Sequence, residues 1–259
     1  MVEKYKSLRK STTYTDQELV DLFKKGIRIS NKGYLYDPKN SNRRVYDIPA
    51  RIESTLKINH EDFTEEEIKH LKALEAERMA ALKEKQKAIA LADKETETYW
   101  HNVMTNKSEA IGEEAAKLVM KKQYPDFEQI PSDIFWNDAK SGQLDMVYYN
   151  AKTGEVMIVE AKGGGSTRGV RKDNKKKRYV EQGTKEYRKS IVADMENKVK
   201  DIEGKIKDKG DLQKLSELKD TVKYIINAEM TGDIQSIQIS QKINKNGGLL
   251  DHAVIDVFE

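Results

Sequence analysis

The chain is 259 residues long and has no cysteine, which excludes disulfides, thiolate zinc sites and a cysteine nucleophile. Hydrophobic residues make up 37% and charged residues 35%, polar for a compact globule, and this points to exposed helices around a modest core. The net charge of +3 is unevenly placed: Lys162 to Lys189 carries 11 Lys and Arg against 3 Asp and Glu, a local +8 that leaves −5 elsewhere, and such a basic field suits a polyanion.

Residues 1–14 are polar and read as a loose terminus. Thr15-Asp-Gln-Glu18 is a capping box, so a short helix should follow to about Lys25. Residues 27–60 mix Gly, Pro and Asn with Tyr34, Tyr36 and Tyr46, the pattern of turns and short strands. Thr64-Glu-Glu-Glu67 is a second capping box and opens a helix to about Ala92. Ile68, Leu82 and Ile89 share a seven-residue register that Glu75 interrupts, and the seam from Leu71 runs into Arg78 and Lys85. A helix packed on one side fits better than a coiled coil. More helix is expected from about Glu95 to Lys122, with a break near Asn106 and a stop at Pro125.

The character then changes. Residues 127–130 can form a short strand. Leu144–Tyr149 and Val156–Ala161 are stronger strands, joined by Asn150-Ala-Lys-Thr-Gly-Glu155, whose Thr-Gly is a hairpin turn. Helix returns after Gly183, turns at Gly210-Asp211 and resumes to about Lys219. Three apolar segments near the end, "YIINAE" (224–229), "SIQISQKI" (236–243) and "HAVIDVF" (252–258), read as late strands. The fold class expected is α/β, with a mixed central sheet flanked by helices.

One strand end stands out. "EVMIVEAKGGG" (155–165) runs four apolar residues into Glu160 and Lys162, then loses its side chains. Residues two apart on a strand share a face, so Glu160 and Lys162 project together. Asp145 opens the preceding strand, with Leu144, Met146 and Tyr148 on the opposite, core-facing side. If the two strands pair through the 150–155 turn, Asp145 comes near Glu160. Two carboxylates held close repel unless a cation lies between them, and hard Mg²⁺ accepts carboxylates, carbonyls and waters. Lys162 beside them can help deprotonate a water or stabilise charge on a phosphate.

Asp145, a turn, and Glu160-Ala161-Lys162 ending an apolar strand resemble the PD-(D/E)XK nuclease superfamily, which has the restriction-endonuclease-like fold. "GQLD" stands where that family usually has Pro before the Asp. The resemblance implies Mg²⁺, with Mn²⁺ able to substitute, held by Asp145, Glu160 and the Ala161 carbonyl, with Lys162 serving the attacking water. It also implies an acidic residue on the helix before the sheet, for which Glu109, Glu113 and Glu114 are available. Glu113 is preferred because it follows Gly112. "VEAKGGGSTRGVRK" with "YVEQGTKEY" is similar, over roughly residues 108–195, to the nuclease domains ending bacterial polymorphic toxins. That likeness implies delivery into a rival cell, a cognate immunity protein as partner, and a site role for Gln182 at the start of the flanking helix.

Gly163-Gly-Gly165 would let backbone approach a phosphate. "RGVRKDNKKKR" is a phosphate-contact segment, with Arg168, Arg171, Lys172 and Lys175 as its nucleic-acid-binding candidates. The four histidines, at 60, 70, 101 and 252, lack metal-ligand spacing. The expected organisation is a mainly helical appendage at 1–95, serving delivery, dimerisation or substrate engagement, and a nuclease domain at 96–259. The expected function is Mg²⁺-dependent hydrolysis of phosphodiesters, double-stranded DNA before RNA, with a non-catalytic nucleic-acid-binding module as the alternative. No apolar run approaches the roughly 20 residues that span a bilayer, and no signal-peptide pattern opens the chain. The expectation is a soluble protein acting in the cytoplasm, or delivered to a target cell without a cleavable leader.

Overall fold

The computed structural model describes residues 1–8, 14–30, 35–39, 43–45, 50–132, 144–166, 168–173, 178–203, 205–206 and 208–259. They divide into two compact units, Met1–Arg51 with Arg168–Ser190, and Ile52–Thr167 with Ile191–Glu259. The boundary expected at residue 95 falls inside the second unit. Residues 52–94 contribute a strand and a helix to that unit, so they are not an appendage to its sheet.

In the first unit, α1 (Val2–Leu8) is a helix where a loose terminus was expected. The reason is Tyr5, which is fully buried with Leu19, Phe23, Ile27 and Leu35. α2 (Asp16–Lys24) starts from Thr15, whose hydroxyl accepts from the Glu18 amide while Glu18 reaches back to the Thr15 amide. Three short strands follow, β1 (Arg28–Ile29), β2 (Leu35–Asp37) and β3 (Arg43–Val45), paired antiparallel in that order.

The second unit is mixed α/β. β4 (Ile52–Asn59) leads through a one-turn 3₁₀ segment to α3 (Glu65–Ala90), which the Thr64/Glu67 capping box opens. α4 (Lys94–Gln123) runs unbroken past Asn106. β5 (Glu128–Ile130), β6 (Met146–Tyr149) and β7 (Val156–Gly164) form a meander; β8 (Val170–Asp173) and β9 (Arg178–Glu181) are a separate hairpin in the first unit. α5 (Lys185–Glu203) and α6 (Lys209–Thr231) then lead to β10 (Ile234–Lys242) and β11 (His252–Phe258). The six-stranded sheet has the order β4-β11-β10-β7-β6-β5, with β10 and β7 parallel and all other neighbours antiparallel.

Two expectations are corrected here. Gly210-Asp211 is not a turn but the first turn of α6, capped by Asp208, whose carboxylate accepts from both of their amides. "YIINAE" is not a strand. It is the second half of α6, because Leu215, Leu218, Val222 and Ile225 recur at helical spacing and are all buried.

The sheet's two faces are covered differently. Met146, Tyr148, Met157, Val159, Ile237 and Ile239 pack against Ala116, Val119 and Met120 of α4. On the other face Tyr149 stacks on Tyr224 of α6, centroids 4.2 Å apart. Behind α4, α3 packs through Ile68, Leu71 and Leu74 onto Ile111 and Ala115. The residues that spoil its heptads have work of their own. Arg78 is buried and donates to Ser108 Oγ (2.8 Å) and the Gly247 carbonyl (2.8 Å), and Glu75 accepts from the Leu249 amide (2.6 Å).

Candidate functional site

The turn that sets the site is local. Gly154 takes φ +81°, and the Gly154 amide donates to the Asn150 carbonyl, so β6 and β7 pair with Met146 opposite Val159 and Val147 opposite Ile158. That register carries Asp145, just ahead of β6, to the position facing Glu160. Its Oδ2 accepts from the Ala161 amide at 3.2 Å. A one-residue slip would send these carboxylates to opposite faces.

The structure thus brings together Asp145, Glu160, Ala161 and Lys162. Lys162 Nζ lies 3.6 Å from Asp145 Oδ2 and 4.0 Å from Glu160 Oε2. These separations are longer than hydrogen bonds, so the ammonium offsets both charges without being locked to either. Glu160 is 2% exposed. Burial pushes its carboxyl well above the usual range, and the charge of Asp145 adds to this; Lys162 opposes it.

The donor set is hard oxygen with no sulfur or imidazole, which fits Mg²⁺ better than zinc or copper. Among the described residues, no group of three or more His, Cys, Asp or Glu side chains converges to hold a metal. Two carboxylates are a partial set, and Mg²⁺ commonly completes its shell with waters and other oxygens.

Gly163 has a use different from the phosphate approach expected of it. A Cβ there would collide with the Ser108 carbonyl, and one on Gly112 would fall 2.5 Å from the Gly163 nitrogen and 2.7 Å from the Lys162 carbonyl carbon. The glycines let α4 touch the end of β7. Gly165 faces open space.

The other expected site residues belong to several different elements. Glu113 is exposed on α4, the helix covering the sheet face opposite Glu160, and its membership of the site rests on the resemblance alone. Glu109 is exposed and Glu114 lies 3.5 Å from His70 Nδ1. In the first unit Gln182 follows β9, before α5. Its side-chain oxygen accepts from the Gly169 amide and its own amide donates to the Gly169 carbonyl. Arg168 pairs with Glu181 at 3.7 Å, and Arg171 faces Val180 across the β8–β9 hairpin. The Lys172 side chain and Lys175 lie outside the described residues.

Residues that sequence reasoning missed sit on β10. Gln238 is the register partner of Glu160 and Ser240 that of Lys162, and both are buried. Alternation of polar positions with Ile237 and Ile239 was visible, but that pattern ordinarily marks a solvated face. No family model, curated protein or solved structure matches the chain at a significant level.

Proposed function

We propose that this protein is a Mg²⁺-dependent nuclease, hydrolysing phosphodiesters of DNA in preference to RNA, on a restriction-endonuclease-like core. The observation that carries the reading is the convergence of Asp145, buried Glu160 and Lys162 at one strand end. The resemblance to PD-(D/E)XK nucleases rests on the same residues, and that to the nucleases of polymorphic toxins on "VEAKGGGSTRGVRK" with "YVEQGTKEY".

In this reading Asp145 and Glu160, with the Ala161 carbonyl, hold the cation, which when bound polarises the phosphoryl group and lowers the pKa of water. Lys162 sits where it can orient the attacking water and stabilise the charge that develops on the phosphate. Asp145 is kept in position by the Ala161 amide, so the two strands set the carboxylate spacing before substrate arrives. The basic run that follows Lys162 in sequence supplies contacts to the phosphate backbone.

Incubation of the full chain with supercoiled plasmid and with total RNA, each in Mg²⁺ and in EDTA, tests this. Nicking of the plasmid in Mg²⁺ alone supports it. Salt-sensitive binding with no cutting under any metal would favour a binding module instead.

A further inference from the structure

We propose that Gln238 supplies a third side-chain oxygen to the cation held by Asp145 and Glu160. The inference rests on the hydrolase reading above and extends it to a residue on a different strand. β10 runs parallel to β7 with Gln238 beside Glu160 and Ser240 beside Lys162. Side chains on neighbouring strands at paired positions share a face, so Gln238 borders Glu160 on one flank as Asp145 does on the other.

Gln238 is 8% exposed, and its amide is half satisfied. Nε2 donates to Ser240 Oγ at 2.9 Å, while Oε1 is buried with no hydrogen-bond partner. A buried acceptor without a partner opposes folding, and buried polar atoms are rarely left so. An amide oxygen is a hard neutral donor of the type that Mg²⁺ and Mn²⁺ accept beside carboxylates. The Ser240 bond orients the amide, leaving the oxygen as the free end. A cation shared by Asp145, Glu160 and Gln238 would satisfy that oxygen and give the two carboxylates a third side-chain ligand.

Calorimetric titration of the full chain with Mn²⁺ alone, beside thermal melting in EDTA, tests the assignment without reference to cleavage. Gln238→Leu keeps the volume and removes the unsatisfied oxygen. It should melt at or above the parental temperature in EDTA yet bind Mn²⁺ at least about tenfold more weakly, the scale of loss when a metal's supporting groups are removed. Gln238→Glu retains an oxygen at similar reach and should bind Mn²⁺ as well as the parent or better. Parental binding by Gln238→Leu, or loss of binding by a folded Gln238→Glu, overturns the assignment and leaves the nuclease reading standing. If the parental chain binds no Mn²⁺, the nuclease reading fails and takes this one with it.

Discussion

Gly112 of α4 and Gly163 of β7 meet backbone to backbone, with no room for a methyl group on either. This contact is what lets a helix lie against the strand end that carries Lys162. Gly112→Ala and Gly163→Ala should each destabilise the protein by about 1–3 kcal/mol through overpacking. Gly165→Ala, whose Cβ would meet nothing within 4 Å, should stay within about 0.5 kcal/mol of the parent. Urea melts of the three variants check this, and equal stability of Gly163→Ala and Gly165→Ala would contradict it.

Glu160 predicts a trade between stability and function. Burial and Asp145 raise its carboxyl pKa in the folded chain, so its ionisation at neutral pH opposes folding. Stability contributed by the protonated form is full below the ordinary carboxylate range and declines as pH rises through the elevated folded value. Glu160→Gln removes that decline. In EDTA the variant should melt with the parent at acid pH and above it at pH 7–8, each kcal/mol moving the midpoint by about 2–4 °C. Mg²⁺ should narrow the difference by stabilising the parent alone. A variant that melts lower throughout would show that Lys162 outweighs the burial.

Arg78 and Glu75 tie residues 247–249 to α3. Arg78→Ala leaves the buried Gly247 carbonyl without its side-chain donor and should cost about 1–3 kcal/mol. Glu75→Ala should mainly speed hydrogen exchange at the Leu249 amide. Unchanged exchange there would mean that the Glu75 contact is not formed in solution.

For nucleic acid, Arg171→Ala should weaken binding uniformly across sequences and reduce the slope of log affinity against log salt by about 1. Fluorescence anisotropy over a salt series measures the slope. A slope that Arg171→Ala leaves unchanged would contradict a phosphate contact at this position.

Much of the site was legible because it is local. A Thr-Gly turn and period-two alternation suffice to bring Asp145 opposite Glu160, and both capping boxes start the helices they announce. What was not legible depends on distant partners. β4 joins β11 across nearly two hundred residues, and nothing within 52–59 names that neighbour. Tyr5 needs α2 and β2 around it before α1 is worth forming. Ile225 and Ile226 look strand-like in isolation, and only the spacing back to Leu215 places them on a helix. Gln238 escaped because a polar residue alternating with isoleucines reads as exposed until a second layer covers it.

The most direct test is the rate of Mg²⁺-dependent plasmid cleavage by Asp145→Asn, Glu160→Gln and Lys162→Met, each shown to be folded by its melting curve. The account predicts parental cutting that EDTA abolishes, and a loss of at least about a hundredfold in every variant. Cutting at the parental rate by any of the three, or parental cutting that survives EDTA, would contradict it.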